Sequence, residues 1–206
     1  MSTPTVPLAA PRSRAGGRPR DPRSDAALID AVLDLISAGA TLSGLSLVTI
    51  AARAGVSRNS LYRRWKSKDT LYLDVLASIN RPLPRVEGHR ARDDVAKLLA
   101  VLVERTLDRR ASHMLRALNA EADVFPELHR RYFEQVVAPR RDAMNEALRR
   151  GIASGELRPD LDPDLVSEVL VGPVLARLAS GATEGLDPVT TSRSIVDLVF
   201  TGALAR

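Results

Sequence analysis

The sequence predicts an all-α fold, with a small helical module near the N-terminus and a larger helical part behind it. Apolar residues recur at helical spacing from residue 21 onward, several of these runs follow a serine that can cap a helix, and no stretch alternates as a strand would. The chain has 206 residues, 45% of them hydrophobic, and is therefore long enough to bury a sizeable core.

The composition excludes several classes of protein. There is no cysteine, which rules out disulfide scaffolds, thiolate metal sites and cysteine nucleophiles. No apolar run approaches the ~20 residues that span a bilayer, and residues 1–20 lack the apolar core of a secretory signal. We expect a soluble, cytoplasmic protein that does not contact membranes and needs neither a metal nor a cofactor.

The positive charge is concentrated in the N-terminal part of the chain. The net charge is +5, and the whole of this excess falls within the first 80 residues, because basic and acidic residues balance in the remainder. Such an asymmetry is typical of a module that binds a polyanion and is joined to an electrically neutral part.

Residues 1–20 form a predicted disordered basic arm. The segment is rich in Pro, Ala, Gly and Arg and has almost no periodic hydrophobic residues. Arg18 and Arg20 lie next to the folded part and are candidates for an arm that enters the minor groove of DNA or lies on its backbone. The alternative is a tail that only adds solubility.

Four helices are predicted between residues 21 and 80. Pro22 suits a first helical turn, and the first helix should end near Gly39. Three serines can each cap one of the next helices: Ser46, Ser57 and Ser67. Pro82 and Pro84 end the fourth helix, so residues 21–80 form a predicted domain, followed by a linker and a second domain over 81–206.

The second domain contains longer amphipathic segments. One helix carries apolar residues at helical spacing from Val95 to Val103, and 112–122 is a shorter helix. The segment 126–152 contains Pro139, which should kink or divide it. The last two segments, 163–181 and 187–204, are apolar around most of their circumference and are therefore expected to be buried in a core or against a partner subunit.

The second and third helices have the spacing of a helix-turn-helix motif. Gly55 lies at the turn, where a positive φ is needed. Small and apolar residues can bury the contact between the two helices: Ile50, Ala51, Ala54, Val56 and Leu61. In this motif the second helix lies in the major groove of DNA and its N-terminal residues contact the base edges.

The residues at the start of the third helix are suited to reading bases. Arg can bind guanine and Asn can bind adenine with two hydrogen bonds each. The candidates for base contacts are Arg58, Asn59, Ser60 and Arg63. Polar residues beside them suit phosphates, which fix the register without reading sequence: Ser57, Tyr62, Lys66 and Lys68.

Other interpretations of these residues remain open at this stage. Arg58, Arg63 and Arg64 could form an ordinary solvated helix face. Trp65 could contact DNA, but packing of the third helix onto the first and fourth is the favoured interpretation. Tyr62 could place its ring on the core and its hydroxyl on a phosphate.

Residues 18–76 resemble the DNA-binding domain of the tetracycline-repressor (TetR) family. The resemblance is most specific in IAARAGVSRNSLYRRWKSKDTLYLDVL, where Gly-Val-Ser, Leu-Tyr, an aromatic residue and Ser-Lys recur in the order of the family. It places the four candidates of the third helix at base-reading positions, and Ser46, Thr49, Tyr62 and Lys68 at phosphate-contacting positions. Val48 stands where some members carry a basic base-reading residue, so the contacts should depend more on the third helix.

After residue 80 the resemblance implies only an all-helical layout, with a ligand cavity among the middle helices and dimerisation through the last two. It suggests apolar lining residues: Leu98, Leu102, Leu115, Leu118, Phe125, Tyr132, Phe133, Val136, Val169 and Val174. His113, Asn119 and Arg177 are the suggested polar anchors. Such apolar stripes also occur in ordinary cores. We expect a small apolar or amphipathic effector.

A palindromic operator in double-stranded DNA would require two recognition helices about 34–36 Å apart. The helices 163–181 and 187–204 could supply a homodimer interface, or they could only close the core of their own subunit. The expected function is a dimeric repressor that an effector releases from its operator, by favouring a dimer whose recognition helices no longer match the groove spacing.

The sequence also bears on two other classes of function. An enzyme is not expected, because the three histidines lack metal-ligand spacing and no phosphate loop or nucleophile elbow occurs. A non-specific or architectural DNA-binding protein without a ligand switch is the alternative. It would need basic charge over a larger area and no dedicated neutral half.

Overall fold

A computed structural model of the chain describes residues 22–86, 88 and 90–203, so the predicted arm with Arg18 and Arg20 lies outside the described residues. The fold is all-helical, as predicted. The helices are α1 (Pro22–Ser37), α2 (Leu47–Arg53), α3 (Arg58–Arg64), α4 (Lys68–Ser78), α5 (Ala91–Leu107), α6 (Arg109–Ala120), α7 (Pro126–Tyr132), α8 (Ala138–Ala153), α9 (Pro163–Ser180) and α10 (Pro188–Ala203).

The predicted serine caps fix the starts of the short N-terminal helices. Ser46, Ser57 and Ser67 each accept a hydrogen bond from the backbone N–H three residues ahead, at the starts of α2, α3 and α4. Ser67 also forms a reciprocal capping box with Thr70. Each serine satisfies one of the four backbone N–H groups that are free at the start of a helix, which matters most for α2 and α3 because they span only seven residues each.

The first hydrophobic core joins the N-terminal helices to α6 and α7. Leu28, Ile50 and Leu61, from α1, α2 and α3, are fully buried in one cluster. Leu118 of α6 and Leu128 of α7 belong to the same cluster. Helices from beyond the linker therefore complete the core beneath the helix-turn-helix motif.

The segment 126–152 is divided near Pro139, as predicted. A π-helical turn, Phe133–Val137, separates α7 from α8, and the N–H of Ala138 donates to the carbonyl of Phe133. Pro139 lies in the first turn of α8 and has no N–H for the preceding turn. The wider π turn accommodates this missing hydrogen bond.

The second core is formed by α5, α8, α9 and α10. Leu99 from α5, Leu148 from α8, Leu170 from α9 and Phe200 from α10 lie together and are almost completely buried. Each of the last two helices thus contributes to the core of its own subunit.

The same two helices also expose a second apolar face. Leu165 and Val169 of α9 are 58% and 49% exposed. Val169 and Ala176 follow Leu165 by four and eleven residues, so the three side chains share one face of the helix. Leu198 of α10 is 79% exposed. The exposed apolar residues of these helices are thus distinct from those that each helix buries in the core of its own subunit.

Candidate functional site

The turn between α2 and α3 has the geometry that the helix-turn-helix spacing predicted. Gly55 adopts φ +65°, and Ile50, Ala51 and Leu61 are buried where the two helices meet. The N–H of Val56 donates to the carbonyl of Ala51 at 3.0 Å, which closes the end of α2. A side chain at residue 55 would strain this backbone, since positive φ is unfavourable for residues other than glycine.

The turn places the predicted base-reading residues on one accessible edge. Arg58, Asn59 and Arg63 are exposed, and Ser60 is half-buried beside them. The hydroxyl of Ser57 donates to that of Ser60 at 2.9 Å, so the Ser60 hydrogen remains available to a further acceptor. Ser46 and Thr49 at the start of α2 are exposed as well, with 2.7 Å between their hydroxyl oxygens.

The cationic residues of this region divide into paired and unpaired groups. Arg64 contacts Asp25 of α1 at 2.5 Å, and Arg53 lies 3.9 Å from Asp34. In the described part of the chain, no acidic side chain pairs with Arg58, Arg63 or Lys66. The unpaired positive charge thus lies on the outer face of α3, next to Tyr62, which is 50% exposed.

Lys68 is placed differently from the sequence prediction. Its ammonium group donates to the carbonyls of Leu42, Ser43 and Leu45 at 3.2, 2.9 and 3.1 Å. These three acceptors occupy all the hydrogens of the ammonium group. The prediction of a phosphate contact is therefore corrected: Lys68 holds the loop that precedes α2.

Trp65 is a packing residue, as favoured from the sequence. It is buried in the first core, and its indole N–H donates to the carboxylate of Asp74 on α4 at 2.7 Å. The contact fixes the end of α3 against α4 and removes Trp65 from the exposed edge.

A cavity of about 500 Å³ lies between α5, α6, α7, α8 and α9. Its lining includes six of the residues suggested from the sequence: Leu98, Leu102, Leu115, Asn119, Tyr132 and Phe133. Half of the other fourteen lining residues are leucine, valine or methionine, and the rest include Arg105, Arg140, Arg141 and Glu168. A volume of this size and an apolar wall are typical of small-molecule sites.

The other seven suggested lining residues lie elsewhere. Leu118 and Val136 are buried in the first core, and Val174 is buried in the second. Val169 and Arg177 are exposed on α9, while His113 faces α1, where the backbone of Ser37 is close to its ring. Phe125 packs edge-on against Tyr72 of α4, 6.0 Å between ring centres. Helical periodicity identified the apolar positions, but it could not show which of them face the cavity.

Sequence reasoning missed the three arginines of the cavity wall, Arg105, Arg140 and Arg141. Arg105 is only 8% exposed, and its guanidinium carbon lies 6.0 Å from the centre of the Tyr132 ring. Arg140 donates to the carbonyls of Val136, at 3.1 Å, and Arg81. Burial, and then the charge of Arg105, lower the pKa of Arg140. No local signal in the sequence marked these arginines, because α5 and α8 carry several other charged residues.

The loop between α6 and α7 connects the cavity wall to the helix-turn-helix motif. The carboxylate of Glu121 accepts from the N–H groups of Leu42 and Ser43 in the loop before α2. The Tyr72 hydroxyl donates to the Leu42 carbonyl at 2.7 Å. Phe125 lies 5.6 Å from the Lys68 ammonium. We call these residues, Glu121 and Phe125 with Lys68 and Tyr72, the loop clamp.

The fold and these sites define a helix-turn-helix DNA-binding protein with a separate helical part that contains a cavity. The model of bacterial regulatory proteins of the tetR family matches residues 28–75, and the model of the tetracyclin repressor-like C-terminal domain matches residues 88–199. The chain therefore belongs to the TetR family of transcriptional regulators. Members of this family are regulators and not enzymes, bind DNA and small-molecule effectors, and act as dimers.

Relatives and solved structures agree with this assignment. The chain is 30% identical over 195 residues to the uncharacterized HTH-type transcriptional regulator YdeS of Bacillus subtilis, covering 92% of this chain and 94% of that protein. FadR of Bacillus subtilis, solved in complex with stearoyl-CoA, has a similar fold: TM-score 0.67, 18% identity, and 86% and 98% of the two chains covered. NalD of Pseudomonas aeruginosa, the secondary repressor of the MexAB-OprM multidrug efflux pump, also has a similar fold. The TM-score is 0.59 and the identity is 18%, with 89% of this chain and 97% of NalD covered.

Among the described residues, no helix is both long enough and apolar enough to cross a membrane.

Proposed function

We propose that this protein is a homodimeric repressor that binds a palindromic operator and is released from it by a small amphipathic effector. The observation that carries this proposal is the unpaired positive edge of α3, formed by Arg58 and Arg63 beside Asn59, in contrast to the paired Arg64 on the opposite side of the same helix. We retain the predicted division into a DNA-binding domain, 21–80, an effector-binding and dimerisation domain, 81–206, and a cytoplasmic location.

Base reading is assigned to the exposed end of α3. Arg58 and Arg63 have no acidic partner in the described part of the chain, so their guanidinium groups can bind guanine without first breaking an ion pair. Asn59 between them suits adenine. Thr49, Tyr62 and Lys66 remain the proposed phosphate contacts, with Ser46 and Ser57 contributing from their capping positions.

Dimerisation is assigned to the exposed apolar faces of α9 and α10. Leu165, Val169 and Leu198 would otherwise remain in water, which is unfavourable for large apolar side chains. Two such helices from each subunit form a four-helix interface, and the resulting two-fold axis pairs the recognition helices. A palindromic operator is the DNA counterpart of that symmetry.

Effector release is assigned to the cavity and the loop clamp. Leu115 and Asn119 of α6 line the cavity, and Glu121 follows at the end of the same helix and bonds the loop before α2. A ligand that moves α6 would thus move that loop, and with it the helix-turn-helix motif. Release requires that the effector bind the displaced arrangement more tightly than the DNA-bound one.

The complex of FadR with stearoyl-CoA supports an amphipathic ligand, because that protein has a fold similar to this chain. The apolar wall of the cavity agrees with such a ligand, since it offers leucines and valines to a hydrocarbon tail and a few polar groups to a headgroup.

A competition experiment separates this function from that of an architectural DNA-binding protein. The full chain is titrated with its selected operator and with a scrambled duplex of equal length, at physiological salt. We expect a preference for the operator of about a thousandfold or more. Equal affinity for both duplexes would favour the architectural alternative.

A further inference from the structure

The cavity contains a buried positive charge without a counter-ion. Arg105 is 8% exposed, its Nε has no hydrogen-bond partner, and no carboxylate in the described part of the chain pairs with its guanidinium. The face of the Tyr132 ring, 6.0 Å away, is its recorded electrostatic contact. A buried cation normally has an anionic partner, because desolvation of an unpaired charge is costly.

A second cation and an unused donor lie in the same wall. Arg140 lines the cavity and is held by carbonyl groups, which orient its guanidinium but carry no negative charge. The Tyr132 hydroxyl is buried and has no hydrogen-bond partner among the residues that the structure describes. Three groups that suit an oxyanion are therefore available on adjacent elements: Arg105 on α5, Arg140 on α8 and Tyr132 on α7.

The third arginine of the wall, Arg141, differs from the other two because its charge is paired with carboxylates. Arg141 also lines the cavity, but it pairs with Asp164 at 2.9 Å and with Glu168 at 3.4 Å. Its charge is neutralised by these two carboxylates, whereas no carboxylate among the described residues pairs with Arg105 or Arg140. The unpaired positive charge of the wall is thus confined to Arg105 and Arg140.

The remainder of the wall suits a hydrocarbon chain. Leu98, Leu102 and Met144 line it from α5 and α8, and Leu175 and Leu178 line it from α9. Phe133 and Leu83 add exposed apolar surface to the same cavity. A neutral apolar ligand would fill this space and leave both guanidinium groups unpaired.

We infer that the cavity binds an amphipathic anion, whose carboxylate or phosphate headgroup is held by Arg105, Arg140 and Tyr132 and whose apolar tail lies along the leucines. The inference rests on the proposed function, since it names the chemical class of the effector. A planar guanidinium binds a carboxylate or a phosphate through two parallel hydrogen bonds, which accounts for arginine and not lysine at both positions.

The test is direct binding in the absence of DNA, so that a failure of operator recognition cannot affect the result. The probes share one tail length and differ in headgroup: decanoate, decyl phosphate, 1-decanol and decyltrimethylammonium, each below the concentration at which it forms micelles. Isothermal titration calorimetry with the full chain measures the affinity. We expect one or both anions to bind at least about thirtyfold more tightly than the alcohol and the cation.

Matched variants locate the headgroup. Arg105→Met should reduce anion affinity by about thirtyfold or more and leave 1-decanol binding unchanged. Arg141→Lys, which keeps the positive charge that pairs with Asp164 and Glu168 in the same wall, should retain anion binding. Arg105→Lys should restore part of it. The ligand-free Arg105→Met protein should melt at the wild-type temperature or above it, because an unpaired buried charge has been removed.

The relative affinities of the two anions identify the headgroup, carboxylate or phosphate. Equal affinity for 1-decanol and the anions, or failure of both anions to bind, would overturn the inference. Retention of full anion affinity by a folded Arg105→Met protein would also overturn it, and circular dichroism establishes that the variant is folded. Anion binding by a chain that fails to select an operator would support the inference and contradict only the proposed function.

Discussion

The Glu121 carboxylate accepts a hydrogen bond of 2.6 Å from the backbone N–H of Leu42. Its other oxygen accepts from the N–H of Ser43 at 3.0 Å. Glu121 ends the helix that lines the cavity, and Leu42 lies in the loop that leads to the helix-turn-helix motif. A single side chain thus joins the proposed effector site to the proposed DNA site.

Replacing Glu121 with glutamine should weaken this connection. The amide has one acceptor oxygen without charge, so two charge-assisted hydrogen bonds become at most one neutral bond, and the protein should lose about 1–3 kcal/mol of unfolding free energy. The effector should then reduce operator affinity less than in the wild type. Urea denaturation and DNA titration with and without effector measure the two effects. Glu127→Gln is the control, because Glu127 is exposed and pairs with Arg130 of its own helix.

The stabilisation that the ionised Glu121 carboxylate gives the folded protein should decrease as the pH falls. Burial opposes ionisation of Glu121, but the bonds from Ser43 and Leu42 and the charge of Lys68 outweigh it, so the pKa of Glu121 is lowered below its ordinary value of 4.5. A lowered pKa stabilises the folded protein above that ordinary value and ceases to do so as the pH falls through the folded-state pKa. The stability difference between wild type and Glu121→Gln should therefore shrink in strong acid. A difference that grew on acidification would contradict the clamp.

Lys68 and Lys66 should respond differently to removal of their charge. Lys68→Met removes three bonds to loop carbonyls and should lower the melting temperature, while the dependence of DNA affinity on salt stays close to that of the wild type. Lys66→Met should leave stability unchanged and reduce the slope of log affinity against log salt by about one. Thermal melts and DNA titrations over a salt series distinguish them. The reverse pattern would restore Lys68 as a phosphate contact.

The base-reading assignment makes a prediction about sequence preference. Arg58→Ala and Asn59→Ala should each cost about 1–3 kcal/mol on the selected operator and relax the preference at one base pair of each half-site. Binding to a panel of single-base operator variants measures this. Arg53→Ala, which removes an exposed arginine of α2, should retain the preference. An unchanged preference in both α3 variants would remove those residues from the reading edge.

The exposed apolar face of α10 should hold the dimer together. Leu198→Glu places a charge at the centre of the proposed interface and should shift the protein to monomers, because an unpaired charge cannot be buried there. Sedimentation velocity measures the change. Arg193→Glu introduces the same side chain on another exposed part of α10 and should remain dimeric. A dimeric Leu198→Glu protein would place the interface elsewhere.

Local sequence signals predicted the helices and the motif well, because their causes are local. Ser46, Ser57 and Ser67 cap the predicted helices, Gly55 has the expected positive φ, and Pro139 divides its segment. These features depend on neighbours within about four residues.

Local sequence signals could not predict the roles of residues whose partners lie far away along the chain. Lys68 is held by carbonyls more than twenty residues earlier in the chain, and Glu121 by N–H groups 78 and 79 residues earlier. The sequence around Arg105 is that of an ordinary surface charge, and only the fold shows that the residue is buried in the cavity wall without a carboxylate among the described residues to pair with it. Periodicity shows which face of a helix is apolar, but the cavity depends on how five helices are rotated against one another.

The central claim is that two copies of the α3 edge read a palindrome. Selection of bound duplexes from a random DNA pool, with the full chain at physiological salt, tests it most directly. The account predicts one enriched sequence with two inverted half-sites, their centres separated by about one helical turn or a multiple of it. Recovery of duplexes with no common sequence, or of a single half-site without its inverted repeat, would contradict it.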